Sequence, residues 1–233
     1  MSDPIGLEPV SRESTAAIVA GRLRDAIMHG TFPPGSQLAE VDLAGRLGVS
    51  RGPLREAMQR LVAEGLLHSQ RHRGLFVVSL DQADVEDVYL ARLAVERAAG
   101  LKIMGGDRTA AVAELTAALE RLAEVAGGDD PVATADADAD FHVALVAESG
   151  SPRLLRMAQI LLAETRTCLT ALQDNAPPPD VLVAEHRVLV DAIESGDVDL
   201  LLSRLERHMA DAVARITADI RAAAARGDAA LVG

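Results

Sequence analysis

Leu43-Ala44-Gly45-Arg46-Leu47-Gly48-Val49-Ser50-Arg51-Gly52-Pro53-Leu54-Arg55-Glu56-Ala57 reads as two helices meeting at a tight corner. Gly48-Val49 makes the corner, and Ser50 is a good N-cap for the helix that follows. Pro53 falls in that helix's first turn, where a missing N–H is tolerated because those donors have no helical partner. Leu54, Ala57, Met58 and Leu61 recur at helical spacing and mark a buried face. Arg51 and Arg55, four residues apart, leave one face near the N-terminus of the same helix.

On the N-terminal side, Ser14 caps a helix running to about His29, with Ala17, Ile18, Leu23 and Ile27 as its apolar positions and Gly30 as its stop. Phe32-Pro33-Pro34-Gly35 is a turn, and a short helix spans about Glu40 to Leu47. On the C-terminal side, Gly65 closes the second helix. Leu66 to Ser79 then forms two short strands around Arg71-His72-Arg73-Gly74, a hairpin or wing. Helix, turn, helix, wing is a DNA-reading order, in which the N-terminal end of the second helix enters the major groove. An arginine there pairs with guanine O6 and N7 or clamps a phosphate. Ser50, Gly52 and Gln59 add contacts, Arg71, His72 and Arg73 reach phosphates or the minor groove, and Gly74 lets the backbone approach.

From about Asp81 the pattern changes to long amphipathic helices. Five breaks, at Gly105-Gly106-Asp107, Gly127 to Pro131, Ser149 to Pro152, Pro177-Pro178-Pro179 and Ser195-Gly196-Asp197, divide it into six. Short loops predict antiparallel packing of sequence neighbours in a bundle with ligand sites between facing helices. The Ala- and Gly-rich tail after about Arg221 is expected to fray, and Met1 to Pro9 to be loose.

A chain of 233 residues is long enough for two cores, here divided as 10–79 and 80–225. Hydrophobic residues make up 49% and aromatics 2%, which favours a mostly α protein. The net charge of −12 is unevenly spread: residues 10–79 carry nine Arg against six acidic residues, whereas residues 80–233 carry 14 basic against 27 acidic ones. A mildly basic head on an acidic body suits a protein that touches DNA at one end only. The single cysteine, Cys168, reads as a small core residue and, with no leader-like start and no membrane-length apolar run, points to the cytoplasm.

Three histidines of the second half fall on apolar helical stripes: His142 with Leu145, His186 with Leu182, Leu189 and Ile193, and His208 with Leu201, Leu205 and Ala212. All should point inward, where each imidazole needs a partner. Within Asp136-Ala137-Asp138-Ala139-Asp140-Phe141-His142, only Asp138 shares the face of His142, one turn or about 6 Å away. Asp138, His142, His186 and His208 form a three-nitrogen, one-oxygen set suited to a divalent metal such as Zn²⁺, with Ni²⁺ or Mn²⁺ as alternatives. Arg92 lies on the apolar face of the first bundle helix with Val85, Val88, Val95 and Ala99. Its anion is either Glu96 at i+4 or the carboxylate of a bound metabolite.

These segments resemble known families. Phe32 to Glu40, Leu43 to Ala57, Glu64-Gly65-Leu66-Leu67 and Arg71 to Gly74 resemble the GntR-family winged helix. The resemblance implies DNA contacts by Ser50, Arg51, Arg55 and the wing around Gly74; Val41 stands where some relatives carry a DNA-contacting Arg. Arg92 to Glu96, Asp138 to His142, Glu185-His186 and His208 look like the FCD ligand-binding domain of the FadR-type subfamily. That resemblance implies a metal held by Asp138, His142, His186 and His208 with a small organic acid beside it, and six helices suggest the VanR-like branch. Ser151 stands where relatives often place Asn. The implied protein is a homodimeric, metabolite-responsive regulator on a palindromic operator, commonly a repressor released by its ligand. Two other readings stay open: a helical half that serves only dimerisation, and a metal-dependent hydrolase, which would need Glu164 or Glu185 facing the metal.

Overall fold

The computed structural model describes residues 14–128, 130–171 and 177–226. The loose start expected for Met1 to Pro9 lies outside them. Among the described residues there are nine helices and one small sheet. The chain runs α1 (Thr15–Met28), β1 (Gln37–Leu38), α2 (Glu40–Leu47), α3 (Arg51–Ala63), β2 (Leu67–Gln70), β3 (Gly74–Val77), α4 (Gln82–Met104), α5 (Arg108–Ala126), α6 (Pro131–Glu148), α7 (Pro152–Ala171), α8 (Pro179–Ser195) and α9 (Val198–Arg226).

The first unit is a winged helix-turn-helix. Ser14 caps α1 by accepting from the Ala17 N–H at 3.1 Å. Its buried stripe is Ala16, Val19, Ala20, Leu23 and Ile27, so the face is rotated from the expected one, and Ile18 is 43% exposed. That stripe keeps 3.6-residue spacing through Leu23 and Ile27, which Ala17 and Ile18 do not. The corner forms where Gly48 adopts φ 65° after α2, a left-handed conformation that glycine enters without strain. Ser50 occupies the N-cap position of α3, but its hydroxyl makes no capping hydrogen bond and stays exposed. Leu54, Ala57, Met58 and Leu61 are fully buried against α1 and the sheet.

The hairpin of β2 and β3 pairs antiparallel, with Gln70 opposite Gly74. A third strand, β1, completes the order β1-β3-β2, with Gln37 opposite Phe76 and Leu38 opposite Leu75. Two residues are too few to carry an alternation signal, so β1 was not legible in the sequence.

The second unit holds six helices around its own core, centred on Leu115, Leu119, Leu122, Phe141, Leu145, Leu189, Ile193, Leu201 and Leu205. Each buried Leu of this kind contributes about 1.5–3 kcal/mol. Sequence neighbours pack together for α5 with α6, α6 with α7, and α8 with α9, but α4 packs chiefly on α9, α7 and α6 rather than on α5. The apolar side of α4, with Val85 and Tyr89, is drawn into a smaller cluster with Met209, Ile216 and Ile220 of α9. Helix α9 runs to Arg226, past the expected fraying point, because Ala222 to Ala225 are strong helix formers. Cys168 falls within α7, but its side chain lies outside the described residues.

The winged helix rests on α7. Gly65 has φ +76°, and a Cβ there would stand 3.2 Å from Glu164 Cγ and 3.5 Å from the Ile160 carbonyl. Arg24 of α1 donates to both oxygens of Glu64 at 2.9 and 2.8 Å, tying α1 to the end of α3 beside this joint.

Candidate nucleic-acid interface and metal centre

At the N-terminal end of α3, Ser50, Arg51, Gly52, Arg55 and Gln59 are all exposed. Arg55 is held in place: its Nε donates to Glu40 Oε2 on α2 at 2.7 Å. Val41, next to Glu40, is 66% exposed. Arg71, His72, Arg73 and Gly74 form the exposed tip of the hairpin. His72 adopts φ 63° and Gly74 φ 104°, which turns the tip tightly. Arg73 lies 5.1 Å over the Phe76 ring and donates to Gln70 Oε1 at 2.8 Å. The amide of Gln37 donates to the Arg73 carbonyl, fastening the wing to β1. Glu40 and Gln37 therefore position the predicted contact residues, a role invisible to helical spacing because both bonds cross between elements.

In the bundle, the four donors singled out by phase come together from α6, α8 and α9. His142, His186 and His208 are 1%, 0% and 8% exposed, and their nearest ring nitrogens all lie within 4.8 Å of one another. His142 Nε2 stands 3.1 Å from His208 Nε2, and His186 Nε2 stands 3.1 Å from Asp138 Oδ1. Ligands bound at about 2.1 Å around one tetrahedral ion are roughly 3.4 Å apart. The two 3.1 Å spacings are close to that, and the three histidines form a group that could hold a cation, with Asp138 adjoining it through His186. As expected, the other two carboxylates of the run turn elsewhere: Asp136 pairs with Arg166 of α7, and Asp140 is exposed.

The outer contacts of the imidazoles set their protonation. His142 Nδ1 lies 2.8 Å from Glu96 Oε2, and His186 Nδ1 lies 2.8 Å from the Leu182 carbonyl. Both acceptors require a proton on Nδ1, so in the neutral form of each ring Nε2 turns a lone pair toward the cluster. His186 Nε2 has no aligned hydrogen bond despite its closeness to Asp138, and His208 Nδ1 is buried without a partner. His208 Nε2 can donate to the His142 lone pair, but an unpartnered His186 Nε2 beside the Asp138 oxygen is an arrangement that a shared cation would satisfy.

Charge follows the same logic. Burial opposes ionisation of Asp138, but the three surrounding histidines outweigh it and hold the carboxyl below its usual range. Burial lowers His186, and the Asp138 carboxylate more than restores it. Burial, reinforced by His142 and His186, pushes His208 well below the ordinary imidazole range.

Arg92 is 3% exposed and takes the Glu96 option: its Nε and Nη2 stand 3.3 and 3.2 Å from Glu96 Oε1. Burial disfavours both charges, and each is kept by the other, with His142 also holding Glu96 ionised. The carboxylates a hydrolytic site would need are elsewhere. Glu185 is bound to Arg215 at 2.9 Å, and Glu164 faces the winged helix at Gly65.

Residues 15–77 match the family described as bacterial regulatory proteins, gntR family, and residues 87–211 match the FCD domain. The chain belongs to the GntR family. It is 33% identical over 208 residues to the "Probable D-xylose utilization operon transcriptional repressor" of Paenarthrobacter nicotinovorans, covering 88% of this chain and 91% of the relative. It is 26% identical over 215 residues to the gluconate operon transcriptional repressor of Bacillus licheniformis, covering 89% and 87%. Among solved structures, a chain assigned as a GntR transcriptional regulator from Rhodococcus sp. RHA1 matches with a TM-score of 0.73 at 30% identity, covering 88% of this chain and 98% of that one. This GntR protein is a DNA-binding transcriptional regulator with an FCD domain, and its family and relatives are not enzymes. Among the described residues, no helix is long and apolar enough to cross a membrane.

Phe141 ties the regulator's core to its cluster. It is fully buried, and its ring meets His186 edge-on with centroids 4.7 Å apart. Phe141→Ala is expected to destabilise the bundle by about 3–5 kcal/mol, read as a lower denaturant midpoint; a loss under about 1 kcal/mol would count against this packing role.

Proposed function

We propose that this GntR regulator acts in the cytoplasm as a homodimer whose two winged helices occupy half-sites of a palindromic operator, and that a small carboxylate bound beside a divalent metal releases it from DNA. Residues 10–79 read the operator through Ser50, Arg51, Gly52, Arg55, Arg71, His72, Arg73 and Gly74. Residues 80–225 sense the effector and pair the protomers, and their six helices favour the VanR-like branch.

The observation that carries this reading is the convergence of the buried His142, His186 and His208, with Asp138 3.1 Å from His186 and with Glu96, paired to Arg92, behind His142. Those four side chains would hold the ion, most simply Zn²⁺ given three imidazoles and one carboxylate. When bound, the ion supplies a Lewis-acidic centre for a carboxylate oxygen. Arg92 adds direction, since Glu96 engages only two of its five N–H groups and leaves others for an anionic effector. The relative from Bacillus licheniformis is named for a gluconate operon, and gluconate is a small hydroxycarboxylate of the class such a site would take. An effector moves the DNA equilibrium only by binding one arrangement of the heads better than the other.

The test pairs elemental analysis with a thermal-shift screen of small carboxylates, followed by a mobility-shift assay on operator DNA. One equivalent of metal per chain, and an acid that raises the melting temperature while weakening the shift, are the expected results. A protein free of metal, stabilised by no acid and unaltered in stability by Asp138→Ala and His186→Ala, would leave the helical half a dimerisation body and overturn the sensing role.

A further inference from the structure

Helix α4 contributes none of the four donors, yet one of its side chains touches the cluster from behind. Glu96 is 1% exposed and divides its two oxygens. Oε1 accepts from Arg92, and Oε2 faces His142 Nδ1 at 2.8 Å. We infer that Glu96 is a positioning residue that fixes the tautomer of His142, and thereby governs how tightly the cluster holds a divalent metal; this rests on the metal reading above.

An ionised carboxylate only accepts hydrogen bonds, so the neutral His142 ring that a metal needs carries its proton on Nδ1 and its lone pair on Nε2. That lone pair points at His208 Nε2, 3.1 Å away, where a shared cation would be met. Arg92 holds the carboxylate still. Its guanidinium lies 4.8 Å over the Tyr89 ring, one turn back on α4, and presents its donors to Oε1. The chain of contacts runs Tyr89, Arg92, Glu96, His142, from one face of α4 into α6. A counter-ion for Arg92 alone would need only Oε1; the second oxygen on the imidazole is what a positioning role adds.

Glu96→Gln separates the two. Arg92 would claim the amide oxygen and leave the amide NH₂ facing Nδ1. That contact favours the opposite tautomer, in which Nε2 carries the proton and is closed to metal. Outer partners of metal-bound histidines typically change affinity about 10- to 100-fold. Zinc affinity of the full chain, stripped and then titrated against a chelating dye, is expected to fall by that factor in E96Q. In metal-free, ¹⁵N-histidine-labelled protein, the His142 signals are expected to switch from an Nδ1–H to an Nε2–H pattern.

The double variant R92M/E96M removes both charges with little change of volume, a replacement buried ion pairs commonly tolerate, and so keeps the test open if E96Q does not fold. Its zinc affinity is expected to fall likewise, because nothing then directs the imidazole. Wild-type zinc affinity in either folded variant, or an unchanged tautomer pattern in E96Q, overturns the inference, as does loss of fold in both variants, which would make the role purely structural. A wild-type protein that binds no zinc defeats the metal reading instead, and the tautomer pattern then still decides what Glu96 does.

Discussion

Replacing Arg51 with alanine is expected to abolish specific operator binding while the fold survives. The side chain is exposed at the start of α3 and, among the described residues, has no protein partner to lose. Substitutions at such positions usually change stability by no more than about 0.5 kcal/mol. A bidentate contact to a base is worth about 1–3 kcal/mol of discrimination, and a symmetric dimer forfeits it at both half-sites. Two such losses amount to about 2–6 kcal/mol, a drop of at least about 30-fold in specific affinity. Arg55→Ala should behave similarly, with Glu40 then left facing the phosphates without the arginine it now holds at 2.7 Å. Mobility shifts on matched and scrambled duplexes read the effect; a retardation identical to that of the unaltered protein, at equal folded concentration, would remove α3 from the interface.

On the proposed metal reading, a strong chelator is expected to lower the unfolding temperature of the bundle by about 8–16 °C. A ligand present at a thousand times its dissociation constant stabilises the native state by about 4 kcal/mol, and a protein of this size moves roughly 2–4 °C per kcal/mol. Without a cation the cluster keeps the His142–His208 contact at 3.1 Å, but His186 Nε2 and His208 Nδ1 stay buried with no hydrogen-bond partner. Calorimetry with a strong chelator, and again after zinc is restored, measures the shift. Asp138→Ala and His186→Ala should unfold at the chelator value and show no response to zinc. Equal transitions with and without chelator would mean that the imidazoles serve packing alone.

The winged helix was legible in detail because its signals are local. Ser14, Gly48, Pro53 and Gly65 act on their own turns, and the apolar spacing of Leu54, Ala57, Met58 and Leu61 names the buried face without reference to any partner. Where two phases compete within one apolar run, as at Ala16 to Ala20, spacing alone picked the wrong edge of the stripe. In the bundle, phase was enough to turn three histidines and Asp138 inward. It was not enough to say that α4 would leave α5 for α9, since that choice depends on which apolar surfaces fit once all six helices are in place.

The order of residues alone determined the helices and most of their inward faces, including those that carry His142, His186 and His208, because caps and 3.6-residue periodicity are properties of a few consecutive turns. Tertiary structure alone decided the contacts between elements. Glu96 reaches His142 across 46 positions, His142 faces His208 across 66, and Glu40 meets Arg55 from a separate helix. Such distances follow from how whole helices cross and pack, and they decide which buried groups come within hydrogen-bonding reach of one another.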